Sequence, residues 1–157
     1  EESLIPSVQP SSAAVIRRGG LCDLDAVAPL SAALHHECQR QQTAPGQVLN
    51  ELRHDVLAWG GRLVVAQSGD EIVGYCAYNM REARLEEIFV APNYRGRAIG
   101  RDLLAFAEHD MEHGNVLSVR IPIENAGESE SARAFFSRQG FCPADQEEMP
   151  QGWQKAL

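Results

Sequence analysis

Several features that would define a function at once are missing from this sequence. No apolar run approaches the roughly 18 residues that a membrane-spanning helix needs. The four cysteines, Cys22, Cys38, Cys76 and Cys142, are widely spaced and form no C-x-x-C pair, which favours reduced thiols and no structural zinc. The first residues, EESLIPSVQP, lack the basic and apolar segments of a signal peptide. We therefore expect a cytoplasmic protein with no metal and no membrane contact.

Positive charge is also scarce. The chain has 14 basic and 22 acidic residues, with a formal net charge of −8. This balance argues against nucleic acid as the main partner, because phosphate backbones select basic surfaces. A negative field raises the local concentration of small cations, so the charge is compatible with cationic substrates. It is equally compatible with acidity that serves solubility alone.

The 157 residues suffice for one domain with a sizeable core. We expect a flexible Pro/Ser-rich tail over residues 1–12 and a single domain over 13–157. Apolar periodicity predicts strands at 13–18, 62–67, 71–80, 83–90 and 116–123, and helices at 23–41, 46–61, 96–114 and 129–140. The segments FCPA and GWQKAL leave room for one or two final strands. This β-α-α-β-β-β-α-β-α-β-β order predicts an α+β fold around one mixed sheet.

Two prolines should disturb these elements. Pro29 predicts a break or kink in the first helix, because it removes a backbone donor. Pro122 lies inside the strand at 116–123, and proline belongs at an edge, at a bulge or where a strand leaves its neighbour. If this strand diverges from the strand at 83–90, the gap between them is a natural cleft.

The segment VAPNYRGRAIGRDLL concentrates glycine and arginine between a strand and a helix. The unpaired N–H groups and the dipole of a helix start make an anion site there. Gly96 and Gly100 would let the backbone approach a ligand, and Arg95, Arg97 and Arg101 would add charge beside phosphates. The pattern matches neither the P-loop nor G-x-G-x-x-G. A glycine-rich turn with solvated arginines is the alternative interpretation.

This segment resembles the acyl-CoA-binding motif of the GNAT N-acetyltransferase superfamily, [QR]-x-x-G-x-[GA]. Arg95 fits the first position, Gly100 fits the last, and Ala98 stands where the family usually has glycine. ARAFFSRQGF, residues 132–141, resembles the family's A-x-x-F-Y-x-x-x-G-F helix, and VVAQSGDEIVGYCAY resembles its central hairpin. The order of elements agrees from about residue 13 to the C-terminus.

The resemblance implies the GNAT fold, a central mixed and mostly antiparallel sheet with splayed central strands, flanked by about four helices. It implies acetyl-CoA as co-substrate, with Phe89 and Val90 pairing through their backbones with pantetheine in the gap that Pro122 marks. The Val90 N–H would stabilise the oxyanion. The implied pyrophosphate site comprises Arg95, Gly96, Arg97, Ala98, Ile99, Gly100 and Arg101.

Acetylation of an amine also requires a proton acceptor, because free amines are protonated at pH 7. Glu86 and Glu87 lie just before the loop on the cleft-forming strand. In a regular strand only one of them would face the acceptor. LEEIFV resembles the LED-x-[FY]-V segment of spermidine/spermine-type acetyltransferases, which makes Glu86 the first candidate for base or amine anchor and Glu87 the second. A solvent-exposed glutamate pair is the alternative.

Two positions depart from the family pattern. Phe136 stands where many relatives carry a tyrosine that protonates the CoA thiolate. Either another donor replaces the tyrosine, or the thiolate leaves unassisted; the candidate donors are Cys142, Ser137, Cys38 and water. The pantetheine-contacting asparagine of the family is replaced by either Ser129, at the usual spacing, or Asn125.

The sequence HDMEH at 109–113 matches the zinc-peptidase pattern H-x-x-E-H. It lies in the last turn of a predicted helix, where the dipole favours histidine in any case. No third ligand is evident downstream. We therefore keep the expectation of no metal.

These inferences predict an acetyl-CoA-dependent N-acetyltransferase that moves the acetyl group directly to a primary amine. The acceptor is expected to be a small cation, such as a polyamine, an aminoglycoside or an amino-acid derivative, in a pocket lined by Glu37, Glu51 and Asp55. One alternative is a protein lysine or N-terminal acetyltransferase. Another is a non-catalytic CoA-binding sensor. A homodimer would be permitted if the C-terminal strand forms an exposed edge.

Overall fold

The computed structural model describes residues 14–37, 45–116, 118–121, 130–143 and 153–157. The predicted tail at 1–12 and Pro122 lie outside these ranges. Within them the order of elements agrees with the predicted one, and both segments proposed for final strands contain a strand. The elements are β1 Val15–Arg18, α1 Leu24–Glu37, α2 Pro45–Leu57, β2 Gly61–Ser68, β3 Glu71–Asn79, β4 Arg84–Val90, α3 Ile99–His113, β5 Ser118–Ile121, α4 Glu130–Arg138, β6 Cys142–Pro143 and β7 Trp153–Ala156.

The strands form one sheet in the order β1-β2-β3-β4-β5-β7-β6. Neighbouring strands are antiparallel except for β4 and β5, which run parallel. Among the described residues these two strands register at one position, Arg84 opposite Arg120. The residues that follow β5 in the sequence, 122–129, lie outside the described ranges, so the divergence of the two central strands stays a prediction. The mixed, mostly antiparallel sheet is confirmed.

The sheet buries an apolar cluster on each face. On the α3 face, the predicted stripe of α3 is buried as expected, at Ile99, Leu103, Ala107 and Met111. The opposite face packs against α1 and α2. Its buried residues include Leu24, Val27, Leu52, Leu63, Val65, Tyr75 and Phe89. Because alternate residues of a strand point to opposite faces, each side chain of β4 can be assigned to one of these two layers.

The structure corrects two expectations about element ends. α1 is continuous through Pro29, so the predicted break does not occur. Pro29 is exposed, and water can bond the carbonyl that loses its partner there. The C-terminal strand β7 is not an edge, because it pairs with β5 on one side and β6 on the other. Among the described helices, none combines the length and apolar character needed to cross a bilayer.

Candidate active site

The gap predicted between β4 and β5 would be lined by the backbone of Val90. Just beyond β4, the Ala91 N–H donates to the Val73 carbonyl of β3 at 2.8 Å, and Val90 lies opposite Gly74. Antiparallel ladders alternate, so the neighbour of a residue bonded to β3 directs its N–H and C=O away from β3. Val90 therefore presents its backbone groups to the gap, whereas Phe89, two residues before Ala91, directs its own toward β3.

A tight loop connects β4 to the start of α3. Gly96 adopts φ +81°, and an added Cβ there would meet no atom within 4 Å. Ala98, the N-cap of α3, is also left-handed at φ 65° and makes no side-chain cap hydrogen bond. The first N–H groups of a helix have no carbonyl of their own helix to bind. Such N–H groups at a helix start can bind an anion.

Three exposed arginines surround this helix start, each in a different way. The Arg95 Nε donates to the Val90 carbonyl at 2.8 Å, and its guanidinium lies 4.9 Å from the centre of the Phe89 ring. The Arg97 guanidinium lies 5.1 Å from the Tyr94 ring. The Arg101 guanidinium is paired with Asp102 at 3.4 Å. Through these contacts Arg95 reaches back onto β4.

Gly96 and Gly100 of this loop favour glycine for different physical reasons. Gly96 needs its positive φ, as described above. At Gly100 an added Cβ would lie 3.2 Å from Cε1 of Phe135 and 3.7 Å from Cγ2 of Val90. The absent side chain thus makes room for α4 to pack against α3. The close approach of a ligand to both glycines stays a prediction.

The last helix, α4, packs Phe136 into the core. Phe136 is buried, and its ring lies 5.3 Å from that of Phe135 and 5.7 Å from that of Phe141. Of the alternative acids, Ser137 and Cys142 are exposed. Cys38, another candidate acid, lies outside the described residues. So do Asn125 and Ser129, the two candidates for the pantetheine contact.

β4 carries a bulge at Glu86. Between Leu85 and Glu87 the register advances two residues on β4 for one on β3. Leu85 and Ile88 both pack on the α3 face although three positions apart, as an inserted residue requires. The expectation that only one glutamate faces the acceptor side assumed a regular strand, and the bulge overturns it. The charges of Glu86 and Glu87 both act on Asp55 of α2.

Glu87 is held by two buried hydroxyl groups. The Tyr75 hydroxyl donates to Oε1 at 2.6 Å, and the Ser31 hydroxyl donates to the same oxygen at 2.8 Å. Both donors are at most 1% exposed. Burial and the adjacent Glu87 raise the pKa of Tyr75 well above its usual value, so the phenol stays protonated and remains a donor. These two neutral hydroxyls fix the position of Glu87 Oε1.

Glu86 and Asp55 differ from Glu87 in their partners. Arg84 donates to Glu86 Oε2 from Nε at 2.9 Å and from Nη2 at 2.6 Å, so the charge of Glu86 is largely neutralised. Asp55 is half-buried; desolvation first, then repulsion by Glu86 and Glu87, raises its pKa from 3.8 to about 6. We call Asp55, Glu86 and Glu87 the carboxylate cluster. It combines one carboxylate of raised pKa with two carboxylates that hydrogen bonds hold in place.

Of the other predicted pocket residues, Glu51 also raises the pKa of Asp55 through its charge, and Glu37 cannot be placed. Glu51 is exposed and accepts a hydrogen bond from Gln47 at 3.1 Å, one helical turn before Asp55. The side chain of Glu37 lies outside the described part of the structure. His109 and His113 are exposed on α3, and no group of His, Cys, Asp or Glu in the described ranges is arranged to hold a metal ion.

Three residues that organise the cluster were missed at the sequence level, namely Ser31, Tyr75 and Arg84. Arg84 carried a signal, since it lies two residues before Glu86 on a strand, on the same face if the strand is regular. Tyr75 could be found only with the β3–β4 register. Ser31 could be found only with the packing of α1 on the sheet.

The chain resembles known acetyltransferases in both sequence and structure. The model of the acetyltransferase (GNAT) domain matches residues 59–143 of the 157. A GNAT-family acetyltransferase from Staphylococcus aureus Mu50 superposes with a TM-score of 0.75 at 19% identity, covering 92% of this chain and 99% of that chain. PaiA N-acetyltransferase from Thermoplasma acidophilum, in complex with coenzyme A, gives 0.71 at 17%, covering 92% and 99%.

Ribosomal-protein-alanine N-acetyltransferase from Brucella melitensis gives a TM-score of 0.68 at 22% identity, covering 91% of this chain and 99% of that chain. No curated protein sequence matches the chain. At these identities the solved structures establish the fold, and the family match spans more than half of the sequence. This protein therefore belongs to the GNAT family of acetyltransferases.

Proposed function

We propose that this protein transfers the acetyl group of acetyl-CoA directly to a primary amine of a small cationic acceptor. One observation carries the proposal: β4 carries both halves of the site. Its C-terminal end leads to the basic start of α3, and its bulge presents the carboxylate cluster. The acetyl donor and the amine acceptor would thus meet along a single strand, beside the predicted gap.

The residues around α3 fit a CoA thioester. The N–H groups of the first turn and the exposed arginines would bind the pyrophosphate, and the open space at Gly96 leaves room for it. The Val90 N–H faces the gap and would donate to the thioester carbonyl as negative charge develops there. Acetyl-CoA supplies the activated acetyl group. The protein positions that group and excludes alternative geometries.

The carboxylate cluster fits a cationic amine. An ammonium group entering beside Asp55 and Glu87 would relieve the repulsion that raises the pKa of Asp55. We assign Glu87 as the proton acceptor, because two buried hydroxyls hold its Oε1 at a defined position. Glu86 is the weaker candidate, since Arg84 already neutralises it. Once the amine has lost its proton, its nitrogen can attack the thioester carbonyl and the CoA thiolate leaves.

The finer points of this assignment remain proposals. The similarity to PaiA N-acetyltransferase, whose structure contains coenzyme A, supports CoA as the donor. The similarity to a ribosomal-protein-alanine N-acetyltransferase makes a protein N-terminus the rival acceptor. A spermidine-type acceptor, a cytoplasmic location and dimerisation are predictions that the fold leaves open.

The test starts with calorimetric titration of the purified protein with acetyl-CoA. We expect micromolar binding, followed by thiol release when polyamines, aminoglycosides and amino-acid amides are offered at pH 8. A parallel panel of peptides with free N-termini or lysines is the matched control. Turnover on peptides alone would replace the small acceptor by a protein. Binding without turnover on either panel would indicate a sensor, and no binding would overturn the proposal.

A further inference from the structure

We propose that Arg81, held against the ring of Trp59, binds an anionic group of the acceptor, so that the enzyme prefers amines that also carry a carboxylate. The two residues, called here the Trp59–Arg81 pair, lie on neighbouring loops beside the carboxylate cluster. Among the acceptors considered above, this favours amino-acid derivatives over polyamines. The inference rests on the proposed function, because it concerns the acceptor of the same reaction.

Trp59 presents a large aromatic side chain to solvent on a backbone that is firmly held. The residue is 80% exposed, the highest value among the exposed large hydrophobic residues in the described ranges. Its carbonyl, in contrast, accepts a hydrogen bond at 3.2 Å from the side-chain amide of Asn79, which is only 5% exposed. An indole fixed in this way can contact a ligand without first losing the freedom of its backbone.

Asn79 also fixes the turn that carries Arg81, between β3 and β4. Its side-chain oxygen accepts a hydrogen bond from the Glu82 N–H at 2.9 Å. Gly60 holds φ +84°, and an added Cβ there would lie 2.8 Å from the Cβ of Arg81. The loop after α2 and the turn before β4 are therefore packed against each other, which places Arg81 beside Trp59.

The guanidinium of Arg81 stacks on the indole and keeps donors for another partner. Its centre lies 5.7 Å from the centre of the Trp59 ring. The adjacent carboxylate in the sequence, Glu82, pairs instead with Arg84 at 2.8 Å. A stacked guanidinium still presents N–H groups at its edge, in a planar fork that matches a carboxylate. Arg81 is therefore suited to bind an anion from solution.

Arg84 connects this turn to the carboxylate cluster. Its guanidinium contacts Glu82 Oε1 at 2.8 Å and Glu86 Oε2 at 2.6 Å, so one side chain spans the turn and the bulge of β4. Asp55, another member of the cluster, lies in the last turn of α2, directly before the loop that carries Trp59. The positive charge of Arg81 thus lies beside a group of carboxylates. A molecule with an ammonium group at one end and an anion at the other matches this order of charges.

The charge of Arg81 would discriminate between acceptors that share a primary amine. A carboxylate at the far end of the acceptor would receive charge-assisted hydrogen bonds from the guanidinium. A second ammonium group would meet a like charge at the same place, which is unfavourable. Because Arg81 is exposed and water screens its charge, the preference should be several-fold rather than absolute.

The experiment compares acceptors that differ only in the group opposite the amine. Glycine, β-alanine, γ-aminobutyrate and ε-aminohexanoate are each tested beside the neutral amide and the diamine of equal chain length. We measure kcat/KM for thiol release from acetyl-CoA, corrected for the two amines of a diamine. Wild type should favour the best carboxylate acceptor about fivefold over its amide, and Arg81→Gln should lose this preference. Arg81→Glu should favour the diamine.

Two further variants complete the design. Arg138→Glu makes the same charge reversal at an exposed position of α4, and it should keep the wild-type order of acceptors. Trp59→Leu leaves the charge of Arg81 in place but removes the ring beneath it, so we expect the preference to fall to about twofold. The change should appear in KM, with kcat at saturation unchanged, because neither residue touches the reacting atoms. Full preference in Trp59→Leu would overturn the role assigned to the ring.

Reversal of the preference in Arg81→Glu is the result that supports the inference. Equal use of carboxylate and amide by wild type, or a preference that survives Arg81→Glu, would overturn it and leave the proposed function intact. Absence of turnover on every amine would instead reject the proposed function.

Binding can be followed without turnover, in the wild-type protein. Titrations with γ-aminobutyrate and with its amide are monitored by NMR at the indole N–H of Trp59 and the Nε–H of Arg81. We expect the carboxylate to shift both signals at about fivefold lower concentration than the amide. The indole of Trp153, which lies on β7, is the internal reference. Equal responses to the two compounds, or no response at the Trp59–Arg81 pair, would overturn the inference.

Discussion

The two ends of β4 achieve recognition by different means. At the C-terminal end, the start of α3 offers backbone N–H groups and exposed guanidiniums, which depend on loop conformation more than on packing. At the bulge, the carboxylate cluster consists of partly buried side chains whose partners are specified one by one. Backbone N–H groups at a helix start can bind a diphosphate. A proton acceptor, in contrast, must be held at one position and one pKa.

This contrast predicts how substitutions will divide. Changes in the carboxylate cluster should lower kcat, because its members would act on the reacting amine. Changes at the helix start should alter the affinity for acetyl-CoA and leave kcat at saturation nearly constant. A substitution at the helix start that lowers kcat, or one in the carboxylate cluster that alters only the affinity for acetyl-CoA, would contradict this division.

The largest effect is expected for Glu87→Gln. The amide keeps the shape and can still accept from Tyr75 and Ser31, but it cannot take a proton. We expect kcat to fall by about 100-fold or more, with acetyl-CoA affinity unchanged. Steady-state thiol release and calorimetry measure the two quantities.

Two further variants sharpen this result. Glu86→Gln should lower kcat less than Glu87→Gln, because Arg84 already neutralises that carboxylate. Glu112→Gln removes the same charge at an exposed position of α3 and should leave kcat unchanged. If Glu86→Gln is the more damaging of the two cluster variants, the assignment of the base to Glu87 is wrong.

The next largest effect is expected for Arg97→Glu, at the opposite end. Reversing a charge beside a bound diphosphate should weaken acetyl-CoA binding by about 30-fold, from the loss of one charged contact and the gain of repulsion. The weakening should diminish at 0.5 M salt, because the side chain is exposed. Arg53→Glu on α2 is the matched control. A loss of kcat at saturating acetyl-CoA would instead place Arg97 in the chemistry.

The fold could be predicted because its signals are local. The stripe from Ile99 to Met111 has helical spacing, and the glycine-arginine loop lies between a strand and that helix in the sequence itself. The break or kink predicted at Pro29 depends, in contrast, on more than local sequence, and α1 is continuous there. Whether a proline breaks a helix depends on whether the freed carbonyl reaches water, and exposure is a property of the packed structure.

The carboxylate cluster could be predicted only in part. Glu86 and Glu87 stand out in the sequence, but the bulge that turns both toward Asp55 depends on register with β3. The hydroxyls of Ser31 and Tyr75 come from α1 and β3, 56 and 12 positions from Glu87. Long-range pairing of this kind has no periodic trace in one sequence. The choice between the glutamates therefore had to wait for the structure.

A smaller effect is expected at Asp55, and it depends on pH. Its folded pKa of about 6 lies above the ordinary 3.8, so the folded state binds more protons between these values and loses stability as pH rises through that window. Asp55→Asn removes this cost. Allowing for partial exposure, we expect the variant to be about 1 kcal/mol more stable than wild type at pH 8, and equal to it below pH 4.

Urea unfolding across this pH range measures the difference. The same variant should raise KM for the amine, because the cluster loses an attractive charge. Asp102→Asn, which removes an exposed carboxylate at the start of α3, is the matched control for the loss of one negative charge. A stability gain that is constant from pH 4 to pH 8 would mean that Asp55 is not the strained carboxylate described above.

The smallest effect is expected for Ala98→Gly, where the chain departs from the family pattern. Ala98 holds φ 65°, a conformation that costs an L-residue about 1 kcal/mol and glycine little. Glycine also loses more entropy on folding, so we expect a net gain of about 0.5 kcal/mol in unfolding free energy, with acetyl-CoA bound about twofold more tightly. Ala105→Gly is the matched control at an exposed helical position of α3, and it should destabilise by about 1 kcal/mol. If Ala98→Gly raises the unfolding free energy while Ala105→Gly lowers it, the helix start is strained at Ala98. If both substitutions lower the unfolding free energy equally, the loop backbone already accommodates alanine, and the Ala98 methyl group does not hinder binding at the phosphate site.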